Sequence, residues 1–372
     1  MPEAADTPTS APAPVPPAPS PVTPLARGSA PLAAPLNVPA RRASRLALLV
    51  TGMRPRQWTK NLLLFAGVTF AGRLLDPTAI LRATLAFALF CLLAGTTYLI
   101  NDLADVRADR LHPTKRFRAL ASGRLPIRSA WIGVAGLLAL SGALLVVIEA
   151  LPQSGTARRL AGLFPPRFVP AAAHVAYTHD AYARLGGSGL LFALTAVGYF
   201  ALMLAYTYKL KHVVLLDVFT IAAGFVLRAM AGAFVVAVRI SPWLYLCTIL
   251  LALFLALGKR RQELLMLSEG ASDHRRILSE YSAPLLDQLI TIVTAATIMA
   301  YSLYTFQGEA GDQRLMITIP FVLYGIFRYL YLVYVRQEGG SPEEVLLKDA
   351  HVRWSVILCA LTIGFVLYVV PK

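Results

Sequence analysis

Residues 86–118 read AFALFCLLAGTTYLINDLADVRADRLHPTKRFR. An uncharged run is followed at once by Asp102, Asp105 and Asp109, and then by Lys115, Arg116 and Arg118. A water-filled exterior has no need of the first half, and hydrocarbon has no place for the second. The junction therefore reads as a membrane-spanning helix that ends in a highly charged segment at the membrane edge.

The rest of the chain agrees with that reading. Of 372 residues, 57% are apolar and only 15% are charged, and the mean hydropathy is +0.61. A soluble domain carries roughly 25% charged residues, so the surplus apolar surface requires lipid. Apolar runs of spanning length recur at roughly 60–75, 79–100, 130–151, 189–208, 213–236, 242–257, 284–306, 315–335 and 352–370. The expectation is an all-α membrane protein with nine transmembrane helices.

The formal charge of +15 does not point to nucleic acid, because the cations lie in short clusters between apolar runs. Such clusters mark orientation and anion sites. They fall before the first run (Arg41, Arg42, Arg45, Arg54, Arg56, Lys60), after the second, and beside Lys209 and Lys211. They recur at Lys259, Arg260, Arg261, Arg275 and Arg276, and at Arg336 and Lys348. The alternate loops are poorer, with Arg73 and Arg82, then Arg239, then Arg314, the exception being the long segment 152–188 with Arg158, Arg159, Arg167 and Arg184. This places the N-terminus and the rich loops in the cytoplasm of a plasma-membrane protein.

Two segments stand apart. Residues 1–45 are rich in Pro and Ala and cannot bury a core, so they read as a disordered tail before a transmembrane domain at 46–372. Residues 152–188 form a long inserted loop, in which His174, His179 and Asp180 read as solvated rather than ligating. Cys91, Cys247 and Cys359 lie inside apolar runs at spacings that fit no metal pattern.

The charged junction carries the chemistry. Asp102, Asp105 and Asp109 follow an i, i+3, i+7 spacing that puts them on one face of a continuous helix. Carboxylates so placed repel one another unless a cation lies between them, and hard oxygen donors suit Mg²⁺. Asn101 opens the group; Lys115, Arg116 and Arg118 come soon after it. A metal ion with guanidinium and ammonium groups is a diphosphate-binding combination. Lys60, Tyr206, Lys209, Lys211, Lys259 and Arg260 fall on the same predicted side and are further candidates for substrate binding. Arg228 differs, lying eleven residues beyond Asp217 and so about 16 Å deeper. An arginine at that depth is costly unless it meets a polar cavity or a partner.

These residues resemble a known family. NDLADVRADR resembles the NDxxDxxxD signature of the UbiA superfamily of intramembrane prenyltransferases, and RPRQWTKN, HPTKRFR, YTYKLKH, LRAMAG, GKRRQEL and SPEEVLLKD resemble its decaprenyl-phosphate phosphoribosyltransferase branch. The resemblance covers residues 50–372 and implies nine helices around a central cavity. It implies an actinobacterial enzyme that transfers 5-phosphoribose from phosphoribosyl diphosphate to a polyprenyl phosphate for cell-wall arabinan. Asp102, Asp105, Asp109 and Arg118 would be catalytic, with Mg²⁺ on the three aspartates. The other expected partners are the membrane and further copies of the chain in a homo-oligomer, a trimer.

Two alternatives stay open from the residues alone. One is a UbiA-type enzyme that alkylates an aromatic or other small acceptor with a prenyl diphosphate. Such enzymes carry a second aspartate-rich motif where this chain has the basic GKRRQEL, with Glu263 as its one early acid. The other is a lipid or anion transporter, which would place its polar residues near the membrane midplane, often within inverted repeats.

Overall fold

The computed structural model describes residues 44–112, 114–151, 187–238, 242–268, 278, 280–307, 313–338, 340 and 342–369. The Pro-rich tail, most of the 152–188 insertion with His174, His179 and Asp180, and Arg239 lie outside them. Among the described residues every regular element is helical.

The chain begins with α1 (Arg45–Gly52), a 3₁₀ segment (Pro55–Leu64) and α2 (Phe65–Phe70). Next come α3 (Pro77–Ala104), α4 (Val106–Leu111), α5 (Ile127–Ala150), α6 (Gly187–Tyr208) and α7 (Leu216–Val235). The second half contains α8 (Pro242–Ser268), α9 (Ala283–Gln307), α10 (Ile319–Tyr334), α11 (Pro342–Lys348) and α12 (Ala350–Tyr368). Among the described residues, eight stretches are long and apolar enough to cross a membrane: α3, α5, α6, α7, most of α8 and α9, α12, and Gln313–Tyr334, which contains α10. The chain is a multi-pass membrane protein.

Eight replaces the expected nine, and the difference lies at residues 60–75. Arg54 adopts a left-handed conformation (φ 55°), and Pro55 lacks the amide that would continue α1. The backbone then runs as 3₁₀ structure through Leu64 and as only six residues of α-helix beyond it. The entry into the bundle is thus a broken helical path rather than one rod.

The apolar residues form two principal cores. One gathers Phe90, Ile148, Phe192, Tyr199 and Val235 from α3, α5, α6 and α7. The other gathers Val218, Phe254, Ile290 and Tyr329 from α7 to α10. Helix α7 contributes to both, and with α3 it is the most enclosed of the spans. It also meets the broken entry at very short range. A Cβ on Gly232 would stand 2.1 Å from the Leu64 carbonyl oxygen, so only glycine permits the crossing. Outer residues such as Leu140, Val146, Leu361 and Phe365 remain exposed, as a lipid-facing surface requires.

One end of the bundle is pinned by arginines. Asp76 caps α3 by accepting from the amides of Thr78 and Ala79 at 3.0 and 3.2 Å. Arg82, 2% exposed, donates to the carbonyls of Val235 (2.7 Å), Ile148 (2.9 Å) and Leu151 (2.5 Å). Arg73 adds a bond to Val236 at 2.6 Å. Cations on the last carbonyls of α5 and α7 satisfy orphan acceptors and oppose the negative ends of both helices. The acidic motif lies at the opposite end of α3.

Candidate functional site

The three aspartates do not form one stripe, because the helix is not continuous. Helix α3 ends at Ala104, Asp105 leaves helical geometry (φ −92°, ψ 6°), and α4 restarts at Val106. The expected i, i+3, i+7 face is therefore corrected to two separate partnerships.

Asp102 and Asp109 turn to the same place. Arg118 Nη1 donates to Asp102 Oδ1 at 3.1 Å and to Asp109 Oδ2 at 2.7 Å. Arg54 Nη2 reaches Asp102 Oδ1 at 2.5 Å, and its guanidinium lies 4.8 Å from the Tyr98 ring centre. The carboxylates are nearly buried, whereas Arg54 and Arg118 keep about a third of their side chains open, at 31% and 29%. Asp105 turns the other way, and Lys211 Nζ donates to its two oxygens at 3.0 and 3.1 Å. That pair ties the end of α3 to the connection between α6 and α7.

The same connection leads into a second cluster. Asp217, wholly buried, accepts from Arg260 Nε at 2.5 Å and from the Tyr281 hydroxyl at 2.7 Å. Arg260 is 1% exposed. It also donates to Glu263 and to the Tyr206 hydroxyl at 3.3 Å. Burial and the Asp217 carboxylate push the Tyr281 hydroxyl well above the usual tyrosine range, which keeps it a proton donor. The Tyr281 oxygen in turn accepts from the Leu215 amide at 2.8 Å. Leu215 is left-handed (φ 65°), a conformation that costs a branched residue roughly 1–3 kcal/mol.

A third polar group lies within the bundle. Arg228 is 6% exposed and donates to Asn61 Oδ1 (2.7 Å), the Gly224 carbonyl (2.8 Å) and the Tyr199 hydroxyl (2.7 Å). All three acceptors are neutral, and the Tyr199 ring stacks 4.6 Å from the guanidinium. Asn61 also donates to Cys91 Sγ at 3.2 Å. The arginine thus finds a polar partner set, built from the broken entry, α6 and α7.

The other expected site residues divide by exposure. Asn101 gives its carbonyl to the Asp105 amide at 2.9 Å. Lys115 begins a 3₁₀ turn organised by the His112 ring, which accepts its amide at 3.3 Å. Arg116 is exposed and lies 4.9 Å from the Phe117 ring centre. Lys209 is exposed at the end of α6, Lys60 is half-buried in the 3₁₀ segment, and Lys259 is 3.9 Å from Glu263. Arg260 differs most from expectation, because its guanidinium is already engaged inside the protein.

Sequence reasoning named Arg54 only as one of a basic run and passed over Tyr281. The left-handed turn that swings Arg54 onto Asp102 has no sequence signal beyond the adjacent Pro55. Tyr281 stands outside the motifs altogether.

The site as a whole joins two buried carboxylates bridged by one cation to several half-exposed cations within a few residues. Such an arrangement can accept a small metal ion and a polyanion together. Among the described residues, no group of three or more His, Cys, Asp and Glu side chains is placed to hold a metal ion by itself.

No family model matches the chain. It is 30% identical to a decaprenyl-phosphate phosphoribosyltransferase from Corynebacterium glutamicum over 330 residues, covering 87% of each chain. It is 31% identical to the Mycolicibacterium smegmatis protein of the same name, covering 86% of this chain and 92% of that one. Among solved structures, a UbiA homolog from Archaeoglobus fulgidus bound to GPP and Mg²⁺ matches with a TM-score of 0.59 and 18% identity. That match covers 88% of this chain and all of the other, and it establishes the UbiA fold.

Proposed function

We infer the reaction from kinship: the chain belongs to the decaprenyl-phosphate phosphoribosyltransferase family. It transfers 5-phosphoribose from phosphoribosyl diphosphate to decaprenyl phosphate, giving decaprenylphosphoryl-5-phosphoribose and diphosphate. The lipid product is a precursor for cell-wall arabinan. The observation that carries this reading to the site is the convergence of Asp102 and Asp109 on a single cationic nitrogen.

That convergence fits Mg²⁺, since both carboxylates already hold one positive centre between them and both offer hard oxygens. Asp102 and Asp109 would hold the ion, with Asn101 and Asp105 beside them. When bound, Mg²⁺ neutralises diphosphate oxygens and stabilises the charge that develops on the leaving group.

The chain's own cations do the rest. Arg54, Lys115 and Arg118 pair with the phosphate oxygens of the donor, and their partly open side chains allow it. Lys60, Arg116, Lys209, Lys211 and Lys259 offset the mutual repulsion of donor and lipid phosphate. Arg228 acts from below, because its bond to Asn61 fixes the 3₁₀ segment that carries Lys60. Arg260 and Tyr206 support the framework rather than touch substrate.

The lipid phosphate is already ionised at neutral pH, so no general base is required when its oxygen attacks C1 of the ribose. The bond from C1 to diphosphate breaks as the new C1–O bond forms, and the α donor becomes a β-linked product. The protein supplies positioning and electrostatic stabilisation. The site faces the cytoplasm, where the water-soluble donor resides, in agreement with the cation-rich loops at that end.

The test is direct transfer. Purified protein is incubated with Mg²⁺, decaprenyl phosphate and phosphoribosyl diphosphate labelled in the ribose. Label is expected in the organic phase, and none under any divalent-metal condition overturns the reading.

A further inference from the structure

Between α6 and α7, seven residues carry Lys211 onto Asp105, and the last of them is strained. Leu215 has a left-handed backbone (φ 65°, ψ −39°), which a branched L-residue does not adopt unless its surroundings impose it. What imposes it is a continuous run of hydrogen bonds. The Leu215 amide donates to Tyr281 Oη (2.8 Å), Tyr281 Oη donates to Asp217 Oδ1 (2.7 Å), and Asp217 Oδ2 accepts from Arg260 Nε (2.5 Å). Arg260 is then fixed by Glu263 on its own helix and by Tyr206 on α6. Every member beyond Leu215 belongs to a different element from Lys211 or to a helix that flanks it.

The charges of this run are satisfied internally. Asp217 and Arg260 are 0% and 1% exposed in their side chains, so neither can meet a substrate in this arrangement. Lys211 stands outside the run; its side chain is 9% exposed and its Nζ pairs with Asp105, whose side chain is 35% exposed. A flexible lysine loses its rotamer freedom only if the backbone that carries it is held. The run holds that backbone at its far end, and the Asp105 pair holds the lysine at its tip.

We propose that Tyr281, Asp217 and Arg260 are positioning residues that act through Leu215 to place Lys211 at the donor-binding end of α3. The proposal rests on phosphoribosyl transfer for its catalytic consequence, but the placement of Lys211 stands on geometry alone. It also assigns a role to GKRRQEL. Its arginine at 260 is the anchor of a neighbouring cation, not a ligand of either substrate.

Two readouts on the full chain in detergent or nanodiscs test this. The first needs no turnover: labelling of Lys211 by an amine-reactive reagent, with mass spectrometry as the readout. Tyr281→Phe removes one hydroxyl and should speed labelling of Lys211 several-fold, while that of exposed Lys348 is unchanged. Equal Lys211 labelling in wild type and variant overturns the proposal whether or not the enzyme is active.

The second is a double-substitution cycle on kcat/KM for the donor. Tyr281→Phe should lower it roughly tenfold, about the effect of one hydrogen bond within a charged network. In a Lys211→Met background the same substitution should do almost nothing. Losses that multiply in the double variant mean Tyr281 does not act through Lys211, and the proposal fails. Asp217→Asn, tested in the same way, guards against a folding defect peculiar to Tyr281→Phe. Absence of transfer by wild type overturns the reaction itself and leaves the labelling result to judge the placement.

Discussion

Arg118 Nη1 lies 2.7 Å from Asp109 Oδ2, within a site where each of the three aspartates of the acidic motif has a basic partner. Asp102 shares that same nitrogen at 3.1 Å. The place proposed for a metal ion is thus held by a side chain able to move, and that proposal predicts thermodynamic coupling between metal and anion.

Mg²⁺ alone should bind weakly, because it must displace Arg118 from two carboxylates without offering the guanidinium another partner. Diphosphate supplies that partner. Calorimetric titration should give Mg²⁺ affinity at least about tenfold higher with saturating diphosphate present, an ordinary coupling free energy. Equal affinities with and without diphosphate would show that Arg118 is no competitor.

Asp102→Asn preserves shape while removing the charge that Arg54 and Arg118 share. Turnover should fall by roughly 10²–10³-fold, the usual cost of one electrostatic group at a reacting centre. The purified variant should melt close to wild type. Near-native transfer by this variant would remove Asp102 from the metal site.

Arg228→Ala leaves Asn61 Oδ1 and the Tyr199 hydroxyl without their donor inside the bundle. Each stranded group costs roughly 1–3 kcal/mol, so the melting temperature in detergent should drop by several degrees. Activity measured below that temperature should fall as well, because the segment carrying Lys60 loosens. A variant with normal melting and normal turnover would contradict both roles.

Asp349 caps α12 through the Val352 amide at 2.9 Å and pairs with Arg328 at 2.7 Å. The Arg328 hydrogen bond holds its carboxyl below the usual carboxylate range. A lowered carboxyl stabilises the fold above its unfolded pKa of about 3.9 and loses that contribution as pH falls through its folded value. Asp349→Asn keeps the cap and removes the charge. Its melting temperature should trail wild type near neutral pH and converge with it in strong acid; a constant gap across pH would rule this origin out.

The membrane spans were legible in the sequence because hydrocarbon thickness sets a length that composition alone can reveal. The grouping of these charged side chains was legible as well, since Asp102, Asp109 and Arg118 do meet. Which carboxylate faces which cation was not. Periodicity assumes an unbroken helix, and the break at Asp105 occurs where Lys211 arrives from another part of the chain. The first apolar run misled in a similar way, because its residues are split between 3₁₀ structure ending at Leu64 and a helix of six residues ending at Phe70. Arg260 looked like its cationic neighbours in sequence. Only the packing of α7 against α8 encloses it with Asp217.

The internal pairing of Arg54 and Arg118 with Asp102 also bears on the end of the catalytic cycle. A cluster of cations with nothing else to bind would retain diphosphate and stall after one turnover. Here each arginine is tethered to a carboxylate that stands at a high effective concentration. On the roles proposed for Arg54 and Arg118, a built-in replacement takes the place of the inorganic product as it leaves, and the enzyme resets without waiting for ions from solution.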